Sequence, residues 1–205
     1  MVVILQKKLF TNRKVKRVKV KGTTDLASRE NGSRDLQSEL FSTLAMSDRY
    51  TFFYTKSSPF SQFHPCDFEE DGIKFTAAEQ YMMYQKAVLF NDHDVAQQIL
   101  YAENPMQMKK LGRQVSGFRE SVWIDNRERI VSQGNYLKFT QNSTLKQRLL
   151  ATGNTILVEA SPSDKIWGVG LRETDPLIHD KNNWKGLNLL GKILTEVREK
   201  IKAEQ

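Results

Sequence analysis

Two carboxylate-bearing segments and three tryptophans are the residues of this sequence best suited to chemistry. Glu79 and Lys86 stand seven positions apart, nearly two helical turns, so a helix here projects both from one face with Met82 and Met83 between them. Glu159 closes the β-prone run Thr155-Ile-Leu-Val-Glu159, and Asp164 and Trp167 follow at its far end. Trp184-Lys-Gly186-Leu-Asn188-Leu-Leu-Gly191 sets a Trp and an Asn among glycines. Carboxylates in different surroundings suit proton transfer, activation of water and stabilisation of growing positive charge. An indole face stacks on planar rings, and a lysine contacts phosphate or biases a nearby carboxylate. Other chemistries lack their residues. There is no phosphate-binding glycine loop, no two-histidine metal pair and no nucleophile elbow. Cys66 is the one cysteine, which excludes an internal disulfide and a four-cysteine zinc site, and His64, His93 and His179 are widely separated.

The elements that must position these residues follow from periodicity and caps. Thr51-Phe-Phe-Tyr54 and Gly72-Ile-Lys-Phe75 are predicted to pair as a small sheet. Thr76-Ala-Ala-Glu79 matches a capping box opening a helix over 77–90. Asn91 or Asp92 starts a second helix, and Asn104 with Pro105 starts a third that stops at Gly112. An apolar period over 125–139 predicts a long helix despite Gly134, whose cost of about 1 kcal/mol relative to Ala suggests close approach of another group. Thr144 opens a further helix ended by Gly153, residues 155–159 form a strand, residues 166–170 a second extended piece, and 189–202 an amphipathic closing helix. The fold class is α+β, a compact and predominantly helical single domain with a small β-sheet.

The charge does not belong to that domain. The 205 residues carry a formal +7, yet residues 1–21 hold eight basic side chains and no acid, so the remainder sums to −1. With the polar stretch that follows, this divides the chain into a basic N-terminal extension, 1–47, disordered or targeting, and a domain, 48–205. The extension reads as an organelle-targeting segment, an electrostatic arm for nucleic acid or an anionic membrane, or a solvated tail; Lys14 to Lys21 also alternates like an edge strand. No stretch approaches the roughly 20 apolar residues of a membrane span. An intracellular protein, cytoplasmic or nuclear, is expected, with organelle targeting open.

Six ordered motifs carry a resemblance. Ser61-Gln-Phe63, Ala78-Glu79-Gln-Tyr81 with Lys86, Lys138-Phe139 with Gln141-Asn142, Leu149-Leu-Ala-Thr152, Leu157-Val-Glu159 followed by Asp164 and Trp167-Gly168, and Trp184-x-Gly186-x-Asn188-x-Leu190-Gly191 with Val197-Arg198 resemble, in order and spacing, the YbiA-like or NADAR family over residues 50–200. The resemblance implies N-glycoside hydrolysis on an ADP-ribosylated base, guanine-linked in nucleic acid, or on a phosphorylated ribosylamine of riboflavin biosynthesis. It implies no metal and no organic cofactor. Its partners are therefore a small ribosyl or ADP-ribosyl N-glycoside or ADP-ribosylated nucleic acid. Carried over by motif, Glu79, Trp123 and Asp164 are the catalytic residues, with Trp123 placed just before the long middle helix. Lys86, Asn142, Glu159, Trp167, Trp184 and Asn188 are the substrate-binding set.

Each residue also has an ordinary structural explanation. Glu79 completes the capping box, Asp164 is a turn former that caps a local amide, and the tryptophans are core or rim aromatics. Met82 and Met83 fit the core, and Cys66 has no base near it in sequence. Two other functions compete: a module that binds NAD or ADP-ribose without hydrolysis, and a nucleic-acid reader working through the basic tail.

Overall fold

Two short strands about a hundred residues apart in sequence pair in parallel and organise the fold. The computed structural model describes residues 49–205, so the basic extension, its strand-like alternation and its boundary lie outside the described residues. Strand β1 (Tyr50–Phe53) runs beside β4 (Ile156–Glu159) with Tyr50 opposite Ile156 and Phe53 opposite Glu159. Side chains alternate across the pair. Thr51, Phe53, Leu157 and Glu159 therefore share one face, and Tyr50, Phe52, Ile156 and Val158 share the other. The first face joins the larger core with Phe75, Tyr81, Ile130, Phe139, Leu190 and Leu194. The second covers a smaller cluster of Val169, Leu171, Ile178 and the half-buried Trp184.

This pairing corrects the expected sheet. Residues 72–75 do not meet β1; instead β2 (Pro65–Glu70) and β3 (Ile73–Ala77) form an antiparallel hairpin of their own, turned by Asp71 and Gly72 at positive φ. The expected extended piece at 166–170 is also absent as a strand. It is a run of bends in which Gly168 packs so closely on the Glu159 carbonyl and the Asp164 backbone that a Cβ would crowd both.

Two of the helices start at the caps read in the sequence, and the other four have no side-chain cap bond. Helix α1 (Ala78–Leu89) leaves β3 directly, α2 (His93–Leu100) is capped by the Asp92 carboxylate, and α3 (Pro105–Gly112) by Asn104 with Pro105 at its first turn. Helix α4 (Glu120–Gln141) starts earlier than the periodicity suggested and has no side-chain cap, so Trp123 lies inside its first turn rather than before it. Helices α5 (Ser143–Leu150) and α6 (Leu189–Ala203) complete the set. Gly134 is where α1 and α4 touch: the Tyr81 ring occupies the space a Cβ would need. Among the described residues no helix is long and apolar enough to cross a membrane.

Candidate active site

Glu79 is the second residue of α1 and is 2 % exposed. The capping box that would explain it does not form. Ala77 is the N-cap and offers no side-chain bond, while the Thr76 amide and hydroxyl both donate to Gln80 Oε1, at 2.8 and 3.2 Å. Gln80 then spends its amide nitrogen on the Ile99 and Leu100 carbonyls. With Gln80 in the capping role, Glu79 has none: its Oε1 is buried without a hydrogen-bond partner.

What fixes Glu79 is the loop carrying Ser61, Gln62 and Phe63. The Glu79 N–H donates to the Gln62 carbonyl at 3.0 Å. That loop is held in turn by α4, where the buried Lys138 ammonium donates to the Ser61 carbonyl and Asn135 Nδ2 donates to Gln62 Oε1. Burial lowers the Lys138 pKa to about 8.

Glu159 comes from the other side. It ends β4 on the face of the larger core, its N–H donates to Asn188 Oδ1 at 3.0 Å, and Asn188 Nδ2 donates to the Leu157 carbonyl at 2.9 Å. Asn188 adopts φ +52 at the mouth of α6, so a left-handed residue clamps the strand end that carries the acid. Glu159 Oε2 is likewise buried without a partner. Asp164 follows in a tight turn: its Oδ1 accepts from the Ile166 and Trp167 amides at 2.9 and 2.8 Å. The expected amide cap is therefore present, and it uses one oxygen of the carboxylate.

The three acids share one electrostatic neighbourhood. Burial above all pushes Glu79 up to about 7; Asp164 adds to the rise, and Lys109 and Arg113 oppose it. Burial pushes Glu159 up to about 8, helped by Asp164 and Glu79 and opposed by Lys109. A helix N-terminus favours an ionised carboxylate by about 0.3–1 kcal/mol, up to ~2 in partly buried sites. A rise from 4.5 to about 7 corresponds to about 3 kcal/mol the other way, so desolvation prevails at Glu79. Among the described residues no three His, Cys, Asp or Glu side chains converge as metal ligands would.

The aromatic and basic residues divide into two groups. Lys86 Nζ donates to the Gly112 carbonyl at 2.7 Å and sits 4.2 Å from the Phe118 ring centroid and 5.7 Å from that of Trp123. Burial and then Arg113 lower its pKa. Trp123 and Trp167 are half-buried against the larger core, the core that also receives Leu157 beside Glu159. Trp184 belongs to the smaller cluster, where its indole N–H donates to the Ile178 carbonyl at 2.7 Å. Asn142 donates to the Asp67 and Lys138 carbonyls, tying β2 to the end of α4, and it lines a cleft of about 350 Å³ that none of the three acids lines. Lys109 and Arg113 were not singled out in the sequence, and Gln62 and Lys138 entered it only as members of motifs.

The NADAR domain model matches residues 51–202, and this chain belongs to that family. A protein of Acanthamoeba polyphaga mimivirus named as an N-glycosidase is 42 % identical over 163 residues, which is 74 % of this chain and 96 % of that one. A riboflavin biosynthesis protein of Vibrio vulnificus is 33 % identical over 141 residues, 69 % of this chain and 35 % of its own length. The NMR structure of the Escherichia coli protein YbiA matches with a TM-score of 0.64 at 30 % identity, covering 77 % of this chain and 87 % of that one. The α+β, mainly helical YbiA-like fold is thereby established.

Proposed function

We propose that the neighbourhood of Glu79, Glu159 and Asp164 hydrolyses the N-glycosidic bond of an ADP-ribosylated base, guanine-linked in nucleic acid, or of a phosphorylated ribosylamine of riboflavin biosynthesis. That the chain is a hydrolase of N-glycosyl bonds rests on its family and on relatives named for that activity. The observation that carries the finer reading is the pair of carboxylates, Glu79 and Glu159, each with a buried oxygen that no protein group satisfies among the described residues. Orphaned buried acids are expensive, and a reaction that uses them explains their retention.

Breaking a ribosyl C–N bond passes through an oxocarbenium-like state. Asp164, fixed through one oxygen by two backbone amides, is the rigid carboxylate that stabilises the developing positive charge. Glu159, with the pKa raised to about 8, holds a proton at neutral pH and delivers it to the leaving nitrogen as the bond electrons move there. Glu79, raised to about 7, takes a proton from the water whose oxygen adds to the anomeric carbon. Trp123 and Trp167 hold the planar base, and Lys86 orders the wall that carries Trp123. Asn188, Asn142 and Trp184 position the strand and helix ends.

The test is incubation of the protein with guanine-linked ADP-ribosylated DNA and, in parallel, with the ribosylamines, reading products by mass spectrometry. Release of free base or of the ribosyl fragment supports the reading. Saturable binding of both substrates with no bond cleaved overturns it in favour of a binding module.

A further inference from the structure

Arg127 lies on α4 with its guanidinium against the Trp167 ring. Among the described residues its side chain makes no hydrogen bond and no ion pair, and its Nε is buried with no acceptor. A guanidinium N–H removed from water and left unbonded is destabilising, and a ligand oxygen is the ordinary remedy. Its surroundings are those of the site. Cζ lies 5.9 Å from the Trp167 ring centroid, and the Trp167 amide is one of the two that donate to the Asp164 carboxylate. One turn earlier on α4 stands Trp123, on the same helical face, with Lys86 beyond it.

We propose that Arg127 is a substrate-positioning residue whose guanidinium, steadied on the Trp167 indole, binds a phosphate oxygen of the substrate beside the three carboxylates. Three features favour phosphate over the base. The charge is permanent, among the described residues no carboxylate neutralises it within ion-pair distance, and a planar fork of N–H donors matches phosphate oxygens. Lys109 and Arg113 bear on the acids, whereas Arg127 stands against an indole, so its cation is placed to orient a substrate anion there.

The inference rests on the N-glycosidase reading for its substrate but is tested by binding alone. Calorimetric titration of the full chain with ADP-ribose, ribose 5-phosphate and guanosine compares the natural protein with Arg127→Met and Arg127→Gln, the latter retaining N–H donors without charge. The expected result is a loss of about tenfold to a hundredfold in affinity for ADP-ribose and ribose 5-phosphate in both variants, with guanosine unchanged and a weaker salt dependence. A parallel loss for guanosine, an unchanged affinity for the phosphorylated probes, or no binding of them by the natural protein each overturns the assignment. Failure of the natural protein to cleave any N-glycoside while the phosphate-specific loss persists would remove the catalytic reading and leave Arg127 as an anion anchor. Should Arg127→Met not fold, Arg127→Gln decides.

Discussion

Arg198 and Glu79 are equally hidden from water, each 2 % exposed, and they are treated in opposite ways. Arg198 on α6 donates to the Thr152 hydroxyl and the Thr155 carbonyl, both at 2.8 Å, and to the Glu199 carboxylate at 2.8 Å. Its charge is consumed in tying α6 to the turn before β4. Glu79 has a buried oxygen with no hydrogen-bond partner among the described residues, and Glu159 repeats the pattern. A buried charge bonded within the protein is part of the scaffold, while one left unsatisfied awaits another molecule. The difference separates the frame of this fold from its chemistry more sharply than burial does.

The comparison breaks most visibly in turnover. Glu79→Gln and Asp164→Asn are each expected to lower kcat/KM by about a thousandfold, roughly 4 kcal/mol of barrier, while the melting temperature at pH 5 stays within a few degrees. Steady-state rates on whichever N-glycoside is cleaved measure this. Unchanged rates in both variants return the acids to the scaffold.

The next effect is a pH dependence of stability. Glu79 titrates near 7 in the fold and near 4.5 when unfolded, so between those values the folded state holds the extra proton. The stability it contributes is fully present below about 4.5 and is lost as pH rises through about 7. Glutamine cannot lose it, so Glu79→Gln should gain on the natural protein by up to about 3 kcal/mol between pH 5 and pH 8. Urea unfolding at both pH values reads the gain, and a constant difference would show that Glu79 is not desolvated as the fold implies.

Arg198→Met inverts the first experiment. It strands the Thr155 carbonyl and removes the tie to β4, for an expected loss of about 2 kcal/mol by urea unfolding, with kcat of the folded protein unchanged. A fall in kcat at constant stability would place Arg198 in the chemistry and dissolve the contrast.

The scaffold side of this contrast was the more legible in sequence. Asp92 and Asn104 announced α2 and α3 because a cap is a local contract between a side chain and an amide three residues on. Thr155 to Glu159 announced β4 by β-branched composition, but its partner could not be read, since the Thr51 and Thr155 hydroxyls that meet at 2.6 Å are 104 residues apart. Gly134 signalled a close approach without naming Tyr81. Glu79, Asp164 and Glu159 were found through ordered motifs, whereas Lys109, Arg113 and Arg127 were passed over because a cation on a helix reads as solvated until the fold shows what it faces.

The smallest effect tests the point at which sequence and structure parted. If Thr76 and Glu79 formed a reciprocal cap, Thr76→Ala would cost about 1 kcal/mol and release the acid, disturbing turnover as well. In the fold the Thr76 hydroxyl meets only Gln80 Oε1, at 3.2 Å, and the Thr76 amide keeps its own bond to that oxygen at 2.8 Å. Thr76→Ala should therefore lower the melting temperature by no more than about 2 °C and leave kcat/KM unaltered. A tenfold loss of turnover would mean that Thr76 holds Glu79 after all, and that the orphaned oxygen on which the contrast with Arg198 depends is partnered in the working enzyme.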